Sequence, residues 1–416
     1  MSAGFASLEG VAITGLGVVT AAGCGRDTLA AALVAGVPLA RPVDRSAGWH
    51  RPGGSHCAAT VDPKSLQPWL SPMAARRMSP PSRFAVVALR RALEDAGLDA
   101  ATLRAGQAAR PTAVFAATAC GPSSYTERIL EQIQEEGPEA VSPSLFTESV
   151  ANAPAAQIAL ACGALGPNVT ITQREVGPLL ALRRGALEIA EGRAEQVLVA
   201  VVEELTPMEH SVFDRFGCLA DAPRPFDRHR RGYLAAEGAA VLLLEREDVA
   251  RARGASIKAW VRAALAAFDP AASLSDYSRD PTPLAAALAR GLERAGVEVA
   301  TVDRIVSGAS GMPTGDRLEG LVLRRVWGSA TPSGTLPPIL APKGVVGEGG
   351  GGHLAAALLA AEGYPFGPTA GFATMDPELM ITPHDGGSLP PARRLLVSAL
   401  AVGGAAAWVV LEKGEG

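Results

Sequence analysis

The decapeptide Gly166–Glu175, GPNVTITQRE, constrains this chain more than any other stretch. Val169 to Thr172 reads as a short buried strand, and from Pro178 onward Leu179, Leu182, Ala186 and Ile189 recur at helical spacing until Gly192. Strand, tight turn and helix therefore follow one another directly. A turn of that kind presents one side chain at a helix N-terminus, where backbone N–H groups and the helix dipole favour an anion by roughly 0.3–1 kcal/mol. Glu175 stands there. Two structural roles are open to it, an ion pair with the adjacent Arg174 or a cap on the helix; burial without any partner would be costly.

Along the rest of the chain, apolar strands alternate with amphipathic helices, which predicts an α/β architecture. Phe84, Val87, Ala88 and Ala92 mark one helix face that Gly97 closes, and Leu198 to Val202 reads as a buried strand ahead of Glu203 and Glu204. Thr282, Pro283 and Gly296 read as N-cap, first turn and stop of a helix carrying Leu284, Leu288 and Leu292, followed by a strand over Arg304–Ser307. The strand Ala239–Leu244 ends just before Arg251–Ala255, where a boundary divides the chain into halves 1–252 and 253–416. Asp44–Pro63 and Phe268–Pro281 read as surface loops.

Net charge and cysteine usage exclude several function classes. With 38 basic against 42 acidic residues the net charge is −4, unlike that of a general nucleic-acid or membrane-surface binder. No uncharged apolar run reaches the ~18 residues of a membrane span, and residues 1–10 lack a signal-peptide pattern, so a cytoplasmic protein is expected. Cys24, Cys57, Cys120, Cys162 and Cys218 lack metal-ligand spacing and read as reduced, mostly buried thiols; no metal or cofactor is expected. His50, His56, His210, His229 and His384 show no pairing either, and read as surface or hydrogen-bonded residues. GEGGGG (347–352) lacks the Gly-Lys-Ser/Thr of a phosphate cradle and reads as a tight loop.

Three longer segments carry a resemblance. VAITGLGVVTAAG (11–23), SPSLFTESVANAPAAQIALACGALGPN (142–168) and RPFDRHRRGYLAAEGAAVLLLE (224–245) resemble the first strand, the dimer-interface segment and the Pro-Phe-Asp, Arg-Gly and Glu-Gly signature of the β-ketoacyl synthases. The likeness covers nearly the whole chain. It implies the thiolase-like five-layer αβαβα fold, with two pseudo-equivalent halves and helices between two sheets. In that family the elbow carries a nucleophilic Cys; counted without a gap from Gly166-Pro167, that position is Glu175. The first family His precedes a turn ending in Pro-x-Asn-Asp and falls on Gly308, and the second follows Lys-x-x-x-Gly and falls on Glu348, with Lys343 retained. Recruiting His353 instead would need a five-residue insertion.

Condensation on this fold needs a thiolate to carry the acyl chain and two imidazoles to donate hydrogen bonds to the malonyl carbonyl as the enolate forms. Glu175, Gly308 and Glu348 supply none of these, and Glu348 would repel the enolate. A synthase-like chain without its three reaction side chains resembles the chain-length factors of type II polyketide synthases. Many of those carry Gln where this chain has Glu175, which leaves an aromatic or a polyene product open. The resemblance implies a heterodimer with a catalytic ketosynthase, served by an acyl carrier protein with a phosphopantetheine-linked chain, and a polyketide tunnel at the shared interface. Counted from Glu136-Gly137-Pro138, its gate positions are Ser123, Thr126 and Leu130, one helical face by spacing, which either meter the product or pack the subunit contact. Arg224, Arg228, Arg230 and Arg231 either brace loops or meet the carrier. The alternatives are a malonyl-carrier decarboxylase supplying a starter unit, a degenerate acyl-binding scaffold, and a condensing enzyme of unusual chemistry.

Overall fold

The computed structural model describes residues 8–105, 111–330 and 334–415. Ten strands follow in chain order: β1 Val11–Thr20, β2 Ala113–Thr118, β3 Asn168–Thr172, β4 Gln196–Glu203, β5 Gly238–Arg246, β6 Ala259–Phe268, β7 Arg304–Val306, β8 Ile339–Leu340, β9 Arg394–Leu400 and β10 Ala405–Lys413. With the short strand Gly23–Cys24 beside β1 they form one 11-stranded sheet, ordered β8-β7-β9-β10-β6-β1-β5-β4-β2-β3. Pairing is parallel where β2 meets β3 and β4, and where β7 meets β8 and β9; elsewhere it is antiparallel. The two sheets expected from the resemblance are halves of this surface. They stay joined through Ala12↔Trp260 and Ile13↔Ala259, where β1 meets β6.

The helices that position the site are α1 Pro80–Asp95, α2 Ser123–Glu136, α3 Pro143–Ser149, α4 Ala153–Cys162, α5 Gly177–Ala190, α6 Pro207–Arg215, α7 Thr282–Arg294, α8 Pro313–Ala330 and α9 Gly352–Glu362. Three cores separate five layers. Phe84, Val87 and Leu89 of α1 and Ile158 of α4 pack on one outer sheet face against Leu198 and Leu243. Leu179 and Leu182 of α5 and Leu354 and Leu358 of α9 fill the centre between the sheet halves, against Val199, Leu242, Val397 and Val409. Leu288 of α7 and Val322 and Trp327 of α8 cover the other outer face, against Leu396 and Trp408. Central β1, β4 and β5 are covered on both faces, so they read as continuous apolar runs rather than alternating ones.

Three local expectations are corrected. β3 is an edge strand, paired on one side only with β2, so the segment read as buried is exposed or half-buried along its length. Helix α7 starts one residue earlier than its cap was placed: Thr282 lies inside it, and its N–H and hydroxyl donate to Asp280 at 2.9 and 2.6 Å. Of the five thiols only Cys162 is buried; Cys120 is exposed and the others are half-buried. Among the described residues, no helix is long and apolar enough to cross a membrane.

Candidate active-site pocket

The elbow forms as the sequence predicts, but Glu175 takes neither of its expected roles. β3 ends at Thr172, and α5 opens at Gly177 with Pro178 in its first turn, where a missing N–H costs nothing. Val176 occupies the N-cap position and makes no side-chain cap, so Glu175 lies outside the helix. Arg174 turns away from it. Its guanidinium lies 4.0 Å over the ring of Phe213, and its Nη1 donates to the Tyr233 hydroxyl at 3.4 Å. Burial pushes the Glu175 carboxyl upward, the charge of Glu348 pushes it further, and Arg174 and Lys343 only partly offset this.

Glu348 is held from two sides. Lys343 Nζ donates to both of its carboxylate oxygens at 2.8 Å, in a pair whose side chains are almost wholly buried. Its backbone N–H donates to Leu234 O at 2.7 Å, and its carbonyl accepts from Ala236 N at 2.9 Å. The repulsive carboxylate expected at this position is therefore neutralised by the lysine the family retains. The glycine run that follows presses against the same segment: a Cβ on Gly349 would lie 2.3 Å from Ala236 O, and one on Gly351 2.7 Å from Ala240 Cβ. Tight packing, not phosphate binding, accounts for these glycines.

Gly308 is closed as well as bare. Its N–H donates to Glu319 Oε1 at 3.1 Å, and a Cβ there would stand 2.7 Å from the carbonyl oxygen of Ser398. His353, set aside by residue counting, does reach the site: from the first turn of α9 it lines the same cavity as Glu175, Lys343 and Glu348. The glycine turn after Glu348 reverses the chain and carries His353 to the pocket wall. The buried Nε2 of His353 has no hydrogen-bond partner among the described residues, and burial, then the charge of Lys343, pushes the imidazole down to about 3. Glu203, at the end of β4, also walls the cavity and accepts from Ala119 N at 2.6 Å; burial raises its carboxyl to about 8. The space enclosed is about 20 Å³. That holds about one water and no acyl chain.

Helix α2 stands beside this pocket, and its three gate positions have different surroundings. Ser123 Oγ donates to Glu209 Oε1 at 2.6 Å, Thr126 Oγ1 donates to Ser149 O at 3.3 Å, and Leu130 is 55% exposed. Thr206 and Glu209 form a reciprocal capping box on α6, and the Thr206 hydroxyl donates to Glu127 at 2.6 Å, so α2 is clamped to α6 at Ser123 and Glu127. Among the four arginines, Arg230 braces a loop through Asp376 at 2.7 Å and Arg224 lies 3.8 Å from Asp227, whereas Arg228 and Arg231 are exposed.

Comparison with known proteins fits this geometry. Residues 8–250 match the model for the beta-ketoacyl synthase N-terminal domain, and residues 258–362 match that for the C-terminal domain. The chain belongs to the beta-ketoacyl synthase family. It is 31% identical over 389 residues to the oxytetracycline polyketide putative beta-ketoacyl synthase 1 of Streptomyces rimosus, covering 88% of each chain. It is equally 31% identical over 361 residues to a putative polyketide beta-ketoacyl synthase 2 of Streptomyces cyaneus, covering 84% of this chain and 82% of that one. Among solved structures, the ishigamide ketosynthase/chain length factor superposes with a TM-score of 0.86 at 27% identity, covering 97% of this chain and 98% of that one. Identity is the same to a synthase 1 and a synthase 2, so the reaction positions have to decide the role.

Proposed function

We propose that this chain is the non-condensing, chain-length-factor subunit of a type II polyketide synthase, and that it pairs with a catalytic ketosynthase whose product it meters. One observation carries the reading: Glu175 and Glu348, which stand where counting against the family puts the thiol and one imidazole, line a cavity of only about 20 Å³, and Gly308, at the other imidazole position, has no side chain. Acyl transfer needs a thiolate there, and the enolate needs two donors. Here Lys343 is committed to Glu348, and Ser398 O stands where any side chain at position 308 would begin. The decarboxylase alternative needs the same donors and loses support for the same reason.

The surface supports a partner. β3 leaves one edge of the sheet unpaired, and the segments around it expose Phe146 (61%), Leu160 (71%) and Leu165 (77%). A strand edge left open among the described residues, together with exposed apolar side chains, favours association with a second subunit. In the heterodimer, Ser123, Thr126 and Leu130 would line the tunnel for the chain that the acyl carrier protein delivers. Leu130 is the cleaner probe, because enlarging Ser123 also breaks its bond to Glu209.

The test is co-expression with the catalytic ketosynthase of the same gene cluster, followed by size-exclusion chromatography and product analysis with malonyl-loaded carrier protein. A stable heterodimer should form, and intact-mass spectrometry should find no acyl adduct on this chain. Glu175→Cys alone should not restore condensation by the isolated chain, because positions 308 and 348 still offer no donors; condensation in that variant would sink the reading.

A further inference from the structure

We propose that Arg174 is an inner stop of the polyketide tunnel, a specificity-determining residue one layer behind Ser123 whose side-chain volume limits product length. The inference rests on the chain-length reading above and adds a residue to it. Arg174 is a wall of two small cavities, about 20 Å³ on the side of Glu175 and His353 and about 10 Å³ on the side of Leu205, Phe213 and Tyr233. Each has room for about one water. The two cavities share the walls Arg174, Glu203, Glu348 and Gly349, and of these four the arginine carries the largest side chain.

Its side chain is fixed by stacking rather than by charge. The guanidinium rests 4.0 Å over Phe213 and reaches the Tyr233 hydroxyl at 3.4 Å, and among the described residues it pairs with no carboxylate; Glu203 and Glu175 act on it only from a distance. A cation whose purpose was to neutralise this acidic pocket would sit on one of those carboxylates. Arg174 covers the apolar face of Phe213 instead, and a flat guanidinium held on an aromatic face is a stiff barrier.

The barrier also lies on the line of the gate. Glu209 and Phe213 stand one turn apart on α6; the Ser123 hydroxyl is bound to the first at 2.6 Å, and the Arg174 guanidinium lies over the second. An acyl chain that passes the small Ser123 comes next to Arg174. Ser123 and Thr126 are small and by themselves leave room for a long tunnel; the arginine behind them shortens it.

The heterodimer is the material for the test, with product length read by mass spectrometry and assembly by elution volume. Arg174→Ala joins the two cavities and bares the Phe213 face, and should lengthen the product by one or more two-carbon units with elution unchanged. Arg174→Met keeps much of the volume without the charge, and should hold the parental length. Lengthening in the Met variant equal to that in the Ala variant would overturn volume as the cause. If Arg174→Ala does not assemble, Arg174→Ser carries the same expected direction, because it removes nearly the same volume. Leu130→Trp, measured in parallel, should shorten the product. Shortening by Leu130→Trp together with unchanged length in the Ala or Ser variant removes Arg174 alone; unchanged length in all of them removes the tunnel reading itself.

Discussion

Carboxylates occur in two settings in this molecule. Asp227 accepts the backbone N–H groups of His229, Ala373 and Thr374, Asp316 those of Phe226, Ser310 and Gly311, and Glu319 that of Gly308. These acids tie loops together, and one of the residues they hold, Phe226, is a fully buried aromatic kept at a φ of 61°. Glu175 and Glu348 share the reaction pocket, and their side chains accept from no backbone group of another residue among the described residues; Glu348 has Lys343 and Glu175 has nothing comparable. Asp227 stands in the Pro-Phe-Asp signature this chain shares with its family, whereas counting puts the pocket acids where it departs. The loops are therefore held by residues other than the pocket acids, so on the function proposed above the fold persists without the chemistry.

The sharpest way to break that separation is to remove a loop-holding acid. Asp316→Ala orphans three buried N–H groups at a cost of roughly 1–3 kcal/mol each, so a loss of roughly 5 kcal/mol or more is expected in chemical denaturation. A near-neutral result would mean that these loops are held by something else. Next comes the pocket pair. Glu348→Ala leaves Lys343 buried and unpaired, and should cost roughly 3–5 kcal/mol, whereas the double variant Lys343→Met/Glu348→Leu should recover most of it. Equal losses in the single and double variants would show that Glu348 is needed for more than its pairing.

How much of this was legible in the sequence differs by residue, for physical reasons. The elbow was readable because a strand, a turn and a proline-started helix are local patterns, and the loss of Cys and His is a matter of counting. Burial of β3 was misjudged because an edge strand and a central one can share the same apolar residues; only pairing distinguishes them. His353 was dismissed because counting assumes a fixed register, whereas Gly347, Gly349, Gly350 and Gly351 all take positive φ and fold the chain back on itself. An ion pair with Arg174 was one of the two roles open to Glu175, but the contact Arg174 makes, Phe213, is far along the chain on α6. No local pattern encodes that contact.

Smaller than these losses is a pH effect that the two settings share. Burial raises Glu203 to about 8, Glu204, Glu237 and Glu319 to about 7 and Asp316 to about 6. In each case the folded state keeps a proton that the unfolded chain has lost above about pH 4. Their contribution to stability is thus fully present below that pH and lost as the pH rises through 6 to 8. His353 works in the other direction, since it stays neutral when folded and charges when unfolded, and costs stability as the pH falls below about 6.5. The melting temperature should therefore fall between pH 6.5 and 8.5, and Glu203→Gln should flatten that fall. A melting temperature that rises over the same interval would contradict the protonated state of these buried acids.

The smallest effect belongs to the residue that began the comparison. Glu175→Gln keeps shape and size, and removes a charge that burial and Glu348 disfavour and that neither Arg174 nor Lys343 fully offsets. Since its folded carboxyl titrates above the ordinary carboxylate range, Glu175 is protonated at low pH in both states and the substitution should be silent near pH 4. As the pH rises through the folded value the wild-type chain loses stability that the glutamine chain keeps. The difference in unfolding free energy should therefore open in favour of Gln by pH 8.5, by below about 1 kcal/mol, the ordinary size of a substitution that breaks no contact. If Gln is instead the less stable form at pH 8.5, the Glu175 charge has a partner that holds it, and Glu175 joins the loop-holding acids rather than the remains of a lost reaction centre.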